Sequence, residues 1–187
     1  MALHDLTFLL APPLWVLLLF AFSAMAQMHV QAQDLEKSLT VSVEIPRLDV
    51  AEYHRPYLAL WLEEVDGGSA TNLAVWYDTR LKDREGEKWL KDMRQWWRRS
   101  GRSVQMPLDG ISGATRAPGI HRLSFTADSA PLAALSPGRY RLMIEAAREV
   151  GGRELLQLEF DWPASHVHEL SVLGQRELGQ ISVTLNP

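Results

Sequence analysis

From residue 38 onward, the chain consists largely of short segments with the hydrophobicity pattern of β-strands, separated by turns rich in glycine and proline. In residues 39–45, apolar residues alternate with polar ones, which is typical of a strand with one buried face. Strands at this spacing, with such turns between them, favour an antiparallel sandwich. The pattern predicts strands over residues 39–45, 57–63, 72–77, 121–126, 139–147, 154–162 and 178–185.

One pair of these segments is predicted to form a hairpin at the centre of a sheet. Residues 57–63 are apolar on both faces, as expected of a central strand. The turn signal Asp66-Gly67-Gly68-Ser69 follows, and residues 72–77 return as the second arm.

A single segment departs from the strand period and predicts an amphipathic helix. Its apolar residues recur at helical spacing, at Trp89, Leu90, Met93, Trp96 and Trp97. Residues 80–102 contain nine basic and four acidic side chains, a net charge of +5 in a chain whose total is -4. The predicted fold is therefore mainly β: an antiparallel Ig-like β-sandwich with one inserted amphipathic helix.

The first residues predict export. Residues 1–26 combine a short apolar run with the small-residue signal Ala24-Met25-Ala26, which fits a cleaved signal peptide and a periplasmic location. The alternative is a retained membrane anchor, because this segment has no Lys or Arg before its apolar run and contains Pro12 and Pro13. Residues 27–37 are then a flexible lead-in, and residues 38–187 form a single domain.

Composition excludes several kinds of chemistry. The 187 residues include no cysteine, which rules out disulfides, thiolate zinc sites and iron–sulfur clusters. The acidic net charge argues against a nucleic-acid partner. His166 and His168 present two imidazoles, but no third ligand lies nearby in the sequence, so no metal site is predicted.

One motif carries specific chemistry. Asp109-Gly-Ile-Ser-Gly-Ala-Thr115 resembles the sequence that bacterial flavin transferases recognise when they move FMN from FAD onto proteins. The resemblance implies that Thr115 is the FMN attachment residue, through a phosphoester, and that Asp109, Ser112, Gly113 and Ala114 belong to the recognised segment. A threonine hydroxyl needs activation, so the acceptor should lie on an exposed, deformable loop, here residues 100–119. The alternative is an ordinary turn capped by its own aspartate.

Neighbouring residues are candidates for holding the cofactor. Arg116, with Arg98 and Arg99, could neutralise the FMN phosphate, and the alternative for the latter two is a solvated helix terminus. Trp96 and Trp97 could form an aromatic platform for the isoalloxazine ring, and the alternative is core packing.

A wider pattern spans residues 38–186. Residues 55–63, 73–76, 96–97, 112–119 and 145–149, in this order, resemble an uncharacterised family of predicted bacterial periplasmic proteins. That resemblance implies a link to iron uptake and to flavin-dependent membrane reductases.

Two functions follow as expectations. The first is an exported flavoprotein with covalent FMN that transfers electrons with a membrane reductase in iron reduction or uptake, with a flavin transferase as its modifying enzyme. Such a protein is a carrier rather than a turnover enzyme, because the cofactor supplies the chemistry. The alternative is a non-redox periplasmic β-sandwich module that docks its basic, tryptophan-rich helix on a membrane-protein partner.

Overall fold

The structure is a computed structural model that describes residues 36–187. The predicted signal peptide (1–26) and residues 27–35 of the predicted lead-in lie outside the described residues. Among residues 36–187, no helix has the length and hydrophobicity needed to cross a membrane.

Within residues 36–187, nine strands form two sheets, which confirms the predicted mainly-β sandwich. Sheet A has the strand order β5-β1-β9-β8, and sheet B has the order β4-β3-β2-β6-β7. All neighbouring strands are antiparallel except β3 and β4, which are parallel. The strands are β1 (Ser38–Ile45), β2 (Tyr57–Glu64), β3 (Thr71–Tyr77), β4 (Ser112–Ala114), β5 (Gly119–Thr126), β6 (Gly138–Ala147), β7 (Arg153–Trp162), β8 (His168–Leu173) and β9 (Gln180–Asn186).

The main hydrophobic core lies between the two sheets. The predicted alternation in β1 is confirmed, because its apolar side chains are buried and its polar ones are partly exposed. Sheet B contributes the other half of this core from alternate positions of β2 and β6, including Leu58, Leu60, Leu142 and Ile144. Burying each such side chain stabilises the fold by about 2 kcal/mol.

A second core covers the opposite face of sheet B, which explains why β2 is apolar on both faces. Ala59 and Trp61 of β2 point to this side, while Leu58 and Leu60 point to the first core. The second core is closed by the segment between β3 and β4, through Leu90, Met93, Trp96 and Met106. The molecule therefore has three layers: sheet A, sheet B and the inserted segment.

The inserted segment is helical, but it is not the single amphipathic helix that the sequence predicts. It consists of a 3₁₀ segment (Lys82–Asp92), one short α-helix that we name α1 (Arg94–Arg99), and a 3₁₀ turn (Gly101–Ser103). Positive φ angles at Asp83 (52°) and Arg84 (57°) interrupt the helical backbone. We refer to Lys82–Ser103 as the helical layer.

Three large apolar residues of the helical layer are fully buried. Leu90 of the 3₁₀ segment, Met93 at the junction and Trp96 of α1 are at most 1% exposed. Trp89, which an α-helical stripe would also bury, is 50% exposed. The predicted α-helical stripe is therefore buried only in part.

A buried carboxylate of β6 holds α1 against sheet B. Glu145 is 0% exposed, and its Oε1 accepts hydrogen bonds from the backbone N–H of Gln95 (3.1 Å) and from Nη1 of Arg153 (2.7 Å). Its Oε2 accepts from the backbone N–H of Trp96 at 2.8 Å. Glu145 thus satisfies donors of the first turn of α1 that no helical carbonyl can reach.

A second carboxylate organises the loop between β8 and β9. Glu154 of β7 accepts hydrogen bonds from four consecutive backbone N–H groups, those of residues 175–178, at 2.7–3.0 Å. Partial burial raises the pKa of Glu154, but these four donors outweigh burial and leave its pKa below the usual range.

This arrangement predicts acid-sensitive stability. A carboxylate with a lowered folded-state pKa stabilises the fold above its unfolded-state pKa, and the contribution disappears as pH falls through the folded-state value. We therefore expect Glu154→Gln to lower the urea midpoint relative to wild type at pH 7, and the gap to shrink on acidification to about pH 3. Urea titrations at both pH values measure the gap, with the exposed Glu169→Gln as control. A difference in urea midpoint that does not change with pH would contradict the lowered pKa of Glu154.

Two strands were not among those predicted. β8 has an alternating pattern, with Leu170 and Val172 facing the core, so the signal was present in the sequence. β4 has only three residues, and its position within the predicted loop 100–119 matters for the motif.

Candidate functional site

The Asp109–Thr115 motif begins with a tight turn. The backbone N–H of Ser112 donates to the carbonyl oxygen of Leu108 at 2.9 Å, and the Leu108 N–H donates to Oγ of Ser112 at 2.8 Å. Gly110, at the tip, has a φ of 66°, a conformation that glycine adopts without strain. Asp109 is exposed at the same tip. The hydroxyl of Ser112 therefore closes the turn.

The motif then becomes an edge strand rather than a free loop. Ser112, Gly113 and Ala114 pair in parallel with Val75, Trp76 and Tyr77 of β3. Immediately after this ladder, the backbone N–H of Thr115 donates to the carbonyl oxygen of Tyr77 at 3.1 Å. The prediction of an uninterrupted loop over residues 100–119 is wrong at this point, because small residues allow β4 to approach β3 closely.

Trp76 lies directly behind the motif and explains the glycine in it. A Cβ atom on Gly113 would lie 3.3 Å from Cδ1 of Trp76, closer than most side-chain contacts. The guanidinium of Arg116 lies 5.2 Å from the Trp76 ring centroid, within cation–π range. His121 packs edge-on against the same ring, with centroids 5.7 Å apart. Trp76 is the aromatic residue next to the motif, and its position in a predicted strand gave no sign of this role.

Tyr77 is the β3 neighbour of Ala114 in the motif. Burial raises the pKa of Tyr77 above the ordinary value, with a further rise from Glu87 that Ser112 opposes. The Tyr77 ring lies in the second core, so it stays protonated near neutral pH.

The two predicted platform tryptophans lie elsewhere. Trp96 is 0% exposed, and its Nε1 donates to Oδ1 of Asn72 at 2.8 Å. Asn72 is five residues before Tyr77 in β3, a distance of about 17 Å along the strand. Trp97 is partly buried against the second core, with its ring centroid 6.3 Å from that of Trp96. Core packing thus accounts for Trp96. Its hydrogen bond to Asn72 places Trp96 near the end of β3 opposite to Thr115.

The candidate phosphate-binding arginines are also separated. Nε of Arg99 pairs with Oε1 of Glu63 at 2.9 Å, at the end of β2 far from Tyr57, where β2 begins. Arg98 is exposed and hydrogen-bonds with Gln95. Arg116 alone of the three is adjacent to Thr115 in the chain and exposed beside it.

The two histidines considered as metal ligands lie close together at the surface. His166 and His168 are exposed, with ring centroids 5.7 Å apart. Within residues 36–187, no group of three or more His, Cys, Asp or Glu side chains is arranged to hold a metal ion.

The local geometry suits attachment of a phosphoester-linked group to Thr115. In the described part of the chain β4 pairs on one side only, and Ala114 is exposed next to Thr115. Arg116 supplies an exposed guanidinium, the side chain best suited to gripping phosphate oxygens. The residues present therefore fit a covalently bound FMN at Thr115.

Comparison with known proteins gives a family and nothing finer. The family described as "Predicted periplasmic protein (DUF2271)" matches residues 38–180. No curated protein and no solved structure matches the chain.

Proposed function

Because the chain belongs to the DUF2271 family of predicted periplasmic proteins, we propose that it is an exported flavoprotein with FMN attached to Thr115. In this proposal it serves as an electron-transfer component with a membrane reductase, in iron reduction or uptake. The family description supports the periplasmic address that flavin attachment requires. The resemblance of residues 109–115 to a flavin-transferase target supports the cofactor.

The observation that carries the proposal is the setting of Thr115. It follows an edge strand of three residues whose outer side has no neighbour among residues 36–187, and its own N–H donates to the carbonyl oxygen of Tyr77 at 3.1 Å. A short edge strand is bound by few hydrogen bonds, so a modifying enzyme can detach it or pair with its open edge. The acceptor is thus anchored at one side and accessible at the other.

In the attachment reaction, FAD is the donor of the FMN group. Oγ of Thr115 forms a bond to the phosphorus of the FMN half, the bond to the AMP half breaks, AMP leaves, and the hydroxyl proton passes to a base. The threonine is inert without such a base or a metal ion, and the transferase provides the activation. The chain's contribution is a hydroxyl next to the small residues Gly113 and Ala114.

Once attached, FMN supplies the capacity to accept and release electrons. The residues of the chain then hold the cofactor. Thr115 prevents its loss, and Arg116 offsets the negative charge of the phosphodiester. Trp76 lies behind the motif, with the Arg116 guanidinium 5.2 Å from its ring centroid and no Cβ on Gly113 to crowd the ring.

Intact mass of the purified protein tests the proposal. After co-expression with a flavin transferase, we expect wild type to gain the mass of one FMN less one water, and Thr115→Ala to gain none. Thr115→Ser should be modified because it keeps the hydroxyl. Thr79→Ala is the matched control, since Thr79 is an exposed threonine two residues beyond Tyr77. Equal flavin content in wild type and Thr115→Ala would refute the proposal.

A second candidate function rests on a separate observation. All nine basic side chains of residues 80–102 are exposed, eight of them on the helical layer, and Leu81 and half of Trp89 are exposed with them. This surface suits a non-redox module that docks on an acidic membrane-protein partner. The same mass measurement separates the two functions, because an unmodified wild-type protein favours the docking module.

A further inference from the structure

Thr115 lies at one particular end of sheet B, which we call the Thr115 end. β4 and β3 are parallel, and β2 is antiparallel to both β3 and β6. The ends of β4, β3 and β6 therefore lie beside the start of β2 at this edge of the sheet. The residues at this end, in order across the sheet, are Thr115, Asp78, Tyr57 and Arg148.

A cavity of about 240 Å³ opens at this same end. We call it the Trp89 cavity, and its lining includes Tyr57, Asp78, Leu81, Trp89, Arg148 and Glu149. It is formed where the 3₁₀ segment of the helical layer crosses the ends of β2, β3 and β6.

The rim of the Trp89 cavity is unusually apolar for a surface. Leu81 is 42% exposed, Trp89 is 50% exposed and Val150 is 76% exposed, and all three line it. Large apolar side chains gathered around a concave site indicate a ligand more strongly than scattered ones do. A tryptophan and a tyrosine in the lining favour a flat aromatic ligand.

The cavity is within reach of a group tethered to Thr115. Neighbouring strands are about 4.8 Å apart, so the backbone of Thr115 lies about one strand spacing from Asp78 and about 10 Å from Tyr57. The ribityl phosphate of FMN separates the isoalloxazine ring from its attachment point by a comparable length. The predicted platform, Trp96, is anchored instead at Asn72, near the opposite end of β3.

The polar lining matches the polar edge of the isoalloxazine ring. That ring edge carries an imide N–H, which donates to a carboxylate. Asp78, Asp92 and Glu149 supply carboxylates, and they disfavour an anionic ligand such as free phosphate.

We propose that the isoalloxazine ring of FMN linked to Thr115 docks in the Trp89 cavity, against Trp89. This inference rests on the proposed function and adds the ring-binding residues to it. The volume lies just below that of pockets that enclose whole drug-sized ligands, so one part of the ring stays open to a redox partner.

Flavin fluorescence of the modified protein tests the docking, because stacking on tryptophan quenches isoalloxazine emission. In protein whose intact mass confirms the FMN adduct, we expect emission to rise several-fold on unfolding in urea. Native Trp89→Leu should already show most of that rise. Leu81→Glu, at the rim of the same cavity, provides a second variant that acts on docking without touching the tryptophan.

The outcomes separate the two proposals. An adduct whose emission is the same in native and unfolded protein overturns the docking and leaves the attachment intact. Quenching that is lost in Trp97→Leu but kept in Trp89→Leu also overturns it, in favour of the tryptophan pair of α1. A wild-type protein without the adduct overturns both the attachment and the docking.

Discussion

Replacing Glu145 with glutamine is expected to lower the free energy of unfolding by about 3 kcal/mol. The carboxylate is 0% exposed and accepts from two backbone N–H groups of the helical layer and from Arg153. Glutamine offers one acceptor oxygen and brings an NH₂ group toward these donors. At least one buried donor then loses its partner and faces another donor.

The effect should be concentrated in the helical layer. Sheet B is held by its own strand ladders, whereas α1 is short and depends on Glu145 for its first turn. We expect urea denaturation to show the loss, and the near-ultraviolet signal of Trp96 to change before the strands unfold. Glu149→Gln is the control, since Glu149 is 68% exposed and close in sequence. Equal stability of the two variants would contradict the capping role.

The second large effect is expected from Gly86→Ala. A Cβ atom at this position would lie 2.0 Å from the carbonyl oxygen of Asp78 and 3.3 Å from the hydroxyl oxygen of Tyr57. The nearest atom belongs to the backbone at the end of β3, so it cannot rotate away. The 3₁₀ segment must move off sheet B, at a cost of about 3 kcal/mol.

The same displacement should reach the Trp89 cavity, because Leu81 and Trp89 flank Gly86 in the chain. We expect Gly86→Ala to unfold at lower urea concentration and to increase flavin emission in the modified protein. Gly138→Ala is a suitable control, since its added Cβ meets only the Tyr140 ring at 3.7 Å. If both variants unfold at the same urea concentration, position 86 accommodates a Cβ atom and the predicted clash with the Asp78 carbonyl oxygen is wrong.

The strands could be predicted because their signals are local. Alternation in residues 39–45 indicates a strand with one buried face, and the dense apolar run in residues 57–63 indicates a strand with two buried faces. The structure has a strand at each of these positions. The turn at residues 66–69 fixed the hairpin between β2 and β3. The edge strand β4 could not be found this way, because Ser, Gly and Ala give three residues no hydrophobic pattern.

The helical layer shows a different limit. Trp89, Leu90, Met93, Trp96 and Trp97 satisfy an α-helical stripe and also contain a set spaced by three. The choice between them is made by the surface of sheet B and by backbone breaks at Asp83 and Arg84, neither of which the local pattern contains.

The residue that we propose for FMN attachment comes from the sequence, whereas its surroundings come only from the structure. Thr115 and its neighbours come from a contiguous motif. Trp76, Trp89 and Arg148 join the same end of sheet B only through the pairing of β4, β3, β2 and β6, which are far apart in sequence. Trp96 matched the expected chemistry for an aromatic platform, but its burial in the second core could be learned only from the packing.

The three-layer arrangement also concentrates positive charge on one side of sheet B. Residues 80–102 carry a net charge of +5, whereas the four strands of sheet A on the other side carry only Glu44, Glu169 and Arg122 as charged residues. A negatively charged surface therefore attracts the helical layer before contact, and dissolved salt weakens that attraction. The Trp89 cavity, which borders the helical layer, would then face a negatively charged partner early in the encounter.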